Sequence, residues 1–168
     1  MKHVLIILIC TSLLLSCGNS SNNEITKSDS SATKSVDFSK DEQAIKNTVN
    51  DAQTKLAAGD TTGFIATLSD DIEIIPGNEP PVRGEAARNW VREVIKANNV
   101  QIKPNTNGEV GISGDLGYYR YDFEWTVTPK TGGQPMNEKG SEIVLVRRES
   151  SGVWVLIKAI WALLPPAK

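Results

Sequence analysis

Glu73 is the carboxylate best placed for general-base chemistry. It lies between Ile72 and Ile74 on a short β-branched run that feeds a loop containing Pro76, Pro80 and Pro81. Proline fixes φ and removes a backbone donor, so the strand must stop there and the loop that follows is stiff. Asp70, Asp71, Asn78, Glu79, Arg83 and Arg88 ride on the same stretch, and rigid loops carrying polar residues are where sites tend to be built. Asp71, better suited to capping the turn, and Asp122, on a charged strand face, are weaker candidates for the base. Tyr119 or Tyr121 can donate a hydrogen bond to an oxyanion as it develops.

Those phenols belong to the second informative stretch, Leu116 to Thr128. In an extended chain Tyr119, Tyr121, Phe123, Trp125 and Val127 point one way, while Arg120, Asp122, Glu124 and Thr126 point the other. Tyr and Trp fit best where an apolar wall still offers a polar tip. The aromatic face is therefore either an ordinary core with hydroxyls at its rim or the wall of a ligand pocket. Joined by Trp90 and Trp161, it is the candidate lining for a small, mostly apolar ligand. Asn78 and Arg147, with Glu73, are the candidate polar groups of such a pocket.

What the chain lacks narrows the chemistry further. Its histidine is His3, and its cysteines are Cys10 and Cys17. Val4 to Leu15 is an apolar run behind a short basic lead, too short to span a bilayer of about 30 Å as a helix. The run closes on Leu14-Leu15-Ser16-Cys17, which resembles the lipobox of bacterial lipoproteins. That resemblance implies cleavage before Cys17, lipid on its thiol and a protein anchored in the cell envelope; Gly18 after the cysteine is no obvious inner-membrane retention signal, so the outer membrane is expected. Residues 1–16 would then be signal, 17–38 a Ser- and Asn-rich tether, and 39–168 the folded domain. A domain without His or Cys cannot run a Ser-His-Asp or Cys-His mechanism or build a His-ligated metal centre. No metal or organic cofactor is expected. The net charge of -2 comes with no basic patch, so nucleic acid is not an expected partner.

Three helices must carry the acidic loop and brace the aromatic strand. Ser39 and Glu42 fit a capping box, followed by Ile45, Val49, Ala52 and Leu56 at helical spacing. Gly59 ends that helix, Asp60 caps a second, and a third begins near Glu85 with Ala87, Trp90, Val91, Val94 and Ile95 on one face. The period then changes to two. Val100–Ile112, Leu116–Thr128, Gly140–Arg148 and Val153–Leu163 are extended runs separated by Gly-containing turns. Helices followed by an antiparallel meander make an α+β order, with helices packed on one sheet face. The last run is apolar on both faces, with Trp154, Leu156 and Ile160 opposite Val155, Ile157, Ala159 and Trp161. Such a strand must be covered twice, and a homodimer through the sheet is the simplest cover. Lys158 interrupts it and is expected to pair with an acid, lie near the sheet edge or snorkel.

Three features coincide: the acid-rich strand and proline loop leading to Val82-Arg83-Gly84-Glu85-Ala86, the helix bearing Trp90, and the ending Gly152 to Trp161. Together they resemble the SnoaL-like, ketosteroid-isomerase-related domains of the nuclear transport factor 2-like superfamily. The resemblance implies a cone: a curved antiparallel sheet wrapped around three N-terminal helices, open at one end into a mostly apolar pocket, and often dimeric through the sheet. Members that abstract a proton beside a carbonyl often use one pocket carboxylate with a raised pKa. Relatives with a similar ending often carry an acid where this chain has Ala159, which counts against the usual catalytic group. Two functions stay open. One is a lipid-anchored binding module; the other is an isomerase, cyclase or dehydratase with Glu73 as base. A third reading is an interaction domain that displays its sheet to an envelope partner.

Overall fold

The computed structural model describes residues 38–77 and 79–164; the segment expected to be a signal, Cys17 and Asn78 lie outside the described residues. Helix α1 (Ser39–Ala58) buries Ile45, Val49 and Ala52, the stripe its helical spacing predicts. Its flanking residue is Phe38, one place before the predicted cap, and the Glu42 amide donates to the Phe38 carbonyl at 2.9 Å. The helix stops at Gly59 in the left-handed conformation, φ 71°. Asp60 then caps α2 (Thr61–Ala66) by accepting from the Gly63 amide at 2.9 Å. Helix α3 (Gly84–Ala97) buries Ala87, Val91 and Ile95. Its start turns sharply at Gly84, φ 53°, a region that a side chain would disfavour.

Seven strands form one curved sheet among the described residues: β1 (Leu68–Ile75), β2 (Val82–Arg83), β3 (Asn98–Ile102), β4 (Thr106–Ser113), β5 (Leu116–Pro129), β6 (Met136–Arg148) and β7 (Trp154–Leu163). Their order is β2-β1-β7-β6-β5-β3, and β4 shares the outer edge of β5 with β3. Pairing is antiparallel except between β1 and β7, which run parallel. The expected single run from Val100 to Ile112 is broken at Lys103-Pro104-Asn105. Pro104 cannot donate to a ladder, so the chain leaves one half of β5 and rejoins the other. The α+β cone is as expected, and its core lies between the helices and the inner sheet face, around Ile45, Ile72, Ile95, Tyr121, Val144 and Val146.

Strand β7 departs from simple alternation. Val146 pairs with Leu156 but Leu145 pairs with Lys158, so Ile157 is an extra residue in the ladder. This bulge moves every later side chain to the other face. Trp154 and Leu156 before it are buried, and Ala159, Trp161 and Leu163 after it line the same inner side. Strict alternation sets Trp161 opposite Trp154; the bulge puts them together. Less apolar surface is left outside than strict alternation implies.

Candidate functional site

The inner face of the cone holds a cavity of about 260 Å³, a little below the roughly 300 Å³ at which drug-sized ligand pockets start. Each layer of the fold contributes to it. Helix α1 supplies Val49 and Gln53, strand β1 supplies Ile72 and Ile74, and helix α3 supplies Trp90 and Val94. The sheet adds Tyr121 and Trp125 from β5, Glu142 and Val144 from β6, and Ala159 and Trp161 from β7. Trp161 stands 6.2 Å from Trp90 and 6.4 Å from Trp125, ring centre to ring centre, which links helix and sheet in one aromatic wall. The Trp90 indole N–H donates to the Glu79 carboxylate at 3.0 Å.

Within this wall the carboxylate that matters is Glu142, which is not among the candidates that the sequence suggests. It is 6 % exposed. The Tyr121 hydroxyl donates to its Oε2 at 2.5 Å. Gln53 Nε2 in turn donates to the Tyr121 oxygen at 3.0 Å, and Asn105 Nδ2 donates to Gln53 Oε1 at 2.8 Å. The chain of bonds fixes which way the phenol proton points. Burial drives the Glu142 pKa up to about 7, against the Tyr121 bond, which pulls it down. Burial and the neighbouring Glu142 both hold the Tyr121 phenol well above its ordinary value. At neutral pH the carboxyl is therefore divided between its two protonation states while the phenol stays a donor. Such a pair can bind a polar group from either side of proton transfer.

Glu73 occupies a different environment. Ile72 and Ile74 face the cavity, so alternation along β1 turns Glu73 outward. There it meets Lys158 at 2.5 Å and also pairs with Arg83. The Lys158 hydrogen bond, followed by the Arg83 charge, holds it below the ordinary carboxylate range. A base needs the opposite shift, and the structure places Glu73 in ion pairs with Lys158 and Arg83 instead of in the cavity lining. The same pair answers the question of Lys158.

Other expected site residues divide similarly. Trp90, Tyr121, Trp125 and Trp161 line the cavity. Tyr119 and Phe123 are buried on the predicted face but stay behind the wall: Tyr119 packs on Tyr121 with ring centres 4.8 Å apart, and Phe123 on Trp125 at 4.4 Å. Arg147 is drawn away by Asp71, through two hydrogen bonds of 3.1 Å, and by Glu149. That pairing lowers Asp71 to about 2. Asp122 bonds Asn107, Ser141 and Arg120 on the charged face. Glu142 had a signal in the sequence. It shares period-two parity with Val144 and Val146 in a run already read as a strand, and so had to share their inward face.

No family model and no curated protein sequence matches this chain. Solved structures do. A ketosteroid isomerase-like protein from Erwinia carotovora atroseptica superposes with a TM-score of 0.64 at 22% identity, over 77% of this chain and 100% of that one. A nuclear transport factor 2-like superfamily protein from Salmonella enterica serovar Typhimurium gives 0.67 at 17% identity, over 78% and 94%. A nuclear transport factor 2-like protein of unknown function from Pseudomonas putida gives 0.64 at 17%, over 77% and 97%. At these identities the likeness speaks to architecture alone. The described domain has the nuclear transport factor 2-like fold, the cone of ketosteroid isomerase-like proteins.

Proposed function

We propose that the cone binds a small, mostly apolar molecule and meets its one polar group with Glu142 and Tyr121. The observation that carries this reading is a mostly apolar cavity with the buried Glu142–Tyr121 pair in its wall. An apolar body supplies affinity by leaving water, and a few placed polar groups supply orientation. Lipid on Cys17 holds the domain at the envelope, and the outer sheet face, where Ile143 is 42% exposed, supports a homodimer.

Native mass spectrometry of the full-length chain purified from membranes reads all three parts together. The expected species is a lipid-modified dimer carrying a co-purified small molecule. Trp161→Ala is expected to weaken retention by roughly tenfold or more, because an aromatic wall of the cavity is lost. A folded Trp161→Ala protein that keeps its ligand unchanged would contradict the cavity as the binding site.

The second reading is an enzyme, and the Glu142 pKa of about 7 favours it. In that reading Glu142 is the general base of an isomerase-type proton transfer, and the Tyr121 hydroxyl, released as Glu142 takes up the proton, turns to the developing oxyanion. Turnover of enolisable ketones is then expected to fall by about a hundredfold or more in Glu142→Gln, since general bases contribute on that scale. Equal rates for variant and wild type would remove Glu142 as the base.

A further inference from the structure

The charges around the cavity are of one sign. Glu79, Glu138 and Glu142 line it, and no lysine or arginine does among the described residues. The other partly buried acids of the domain are supplied with cations from the chain itself. Glu73 has Lys158 and Arg83, Asp41 has Arg148, and Asp122 has Arg120. Glu142 is more buried than these, yet no salt bridge reaches it among the described residues; the bond it accepts comes from a phenol.

A carboxylate held in an apolar surrounding without a counter-charge is costly, and the cost falls when a cation is brought to it. The same cavity is lined by the rings of Trp90, Trp125 and Trp161, joined through centre-to-centre distances of 6.2 and 6.4 Å. Indole faces carry negative electrostatic potential and attract an organic cation, most strongly where water is excluded. Acid and indoles thus favour the same sign of charge on the same small, apolar guest. An anion would meet three carboxylates and no cationic partner, with the Trp125 indole N–H, unpaired among the described residues, as a neutral donor. A neutral hydrocarbon would use the walls but leave the acid as it was.

We propose that the cavity takes a small apolar amine in its cationic form, with the ammonium against Glu142 and the hydrocarbon body among Trp90, Trp125 and Trp161. This rests on the binding reading above and adds the chemical class of the ligand. Glu142 acts as the counter-ion and Tyr121 orients its carboxylate. Glu79 and Glu138 add attraction of the same sign. The preferred amine is primary, secondary or quaternary with a compact body.

The test compares adamantan-1-amine with adamantan-1-ol, two cages of nearly the same shape that differ in charge. Both are titrated into the full-length chain at about pH 8, where an alkylamine is protonated, and binding is read from tryptophan fluorescence. The amine is expected to bind at least about tenfold more tightly than the alcohol. In Glu142→Gln the two affinities should come within about twofold of each other. Equal wild-type affinities would overturn the cationic assignment while leaving the apolar-binding reading in place. Binding of neither probe would overturn both. A wild-type preference that survives intact in Glu142→Gln would remove Glu142 as the counter-ion. The wild-type ratio decides the cationic assignment by itself, and the variant ratio decides the part played by Glu142.

Discussion

Glu142→Gln is expected to stabilise the protein at alkaline pH and to change it little at acid pH. In the native protein the carboxyl keeps its proton up to about pH 7, against 4.5 for the free group. Below the lower value both folded and unfolded chains are protonated, and burial of the neutral acid costs little. Between the two values the unfolded chain gives up its proton first, so stability falls as pH rises. Above the folded value the whole cost is present, about 3 kcal/mol at 1.36 kcal/mol per pKa unit. Glutamine has the same shape, has no charge to desolvate, and can still accept the Tyr121 hydrogen bond. Urea unfolding should therefore find the variant more stable by roughly 2–3 kcal/mol near pH 8.5, and within about 1 kcal/mol of wild type near pH 4.5. Asp71, lowered to about 2 by Arg147, works with the opposite sign. Its contribution is present above 3.8 and is lost as pH falls toward 2. It leaves the comparison between wild type and variant untouched because both carry it. A variant no more stable than wild type at pH 8.5 would mean that Glu142 is not ionised in a buried setting.

Gly140→Ala is expected to cost about 3 kcal/mol or more, a large loss for one methyl group. A Cβ at this position would lie 2.1 Å from the Ala162 carbonyl oxygen and 2.8 Å from the nearest atom of the Phe123 ring. The first is backbone in the neighbouring strand, so relief requires β6 and β7 to part. Gly140 pairs with Leu163 and Phe123, two places along β6 from Glu142, and Glu142 pairs with Tyr121 and Trp161. Parting the strands there moves the acid relative to both of its aromatic neighbours. Ligand retention should fall together with stability. Ser141→Ala, one residue on, removes a hydroxyl from a partly buried hydrogen bond to Asp122 and should cost only about 1 kcal/mol. Chemical denaturation of the two variants side by side separates the steric effect from any general weakness of the strand.

Much of the fold could be read from periodicity because the side chains differ enough to reveal it. Apolar spacing along α1 and α3 gave their buried faces. The Tyr/Asp and Trp/Thr alternation of β5 gave its inward side, and Asp60 marked the start of α2. Legibility ended where the pattern carried no contrast or depended on distant pairing. Residues 153–157 are all apolar, so a bulge at Ile157 leaves no trace in the sequence although it decides where Trp161 points. The parallel pairing of β1 with β7 joins the first strand to the last, and that pairing brings Lys158 to Glu73. Without it, an acid between isoleucines looks like a buried base. Glu142 was readable from its parity with Val144 and Val146, but its raised pKa depends on Tyr121 and the helices above it. Pro104 was visible as a residue with no donor; that it divides one edge of β5 between two strands was not.

The most direct measurement is a carbon-13 NMR titration of the Glu142 side-chain carboxyl in the full-length protein, with and without adamantan-1-amine. A midpoint near 7 in the protein alone is expected, moving to lower pH when the cavity holds the ammonium, because a nearby cation favours the charged form. A midpoint near the ordinary 4.5, unmoved by the amine, would contradict a buried acid at the centre of a ligand-binding cavity.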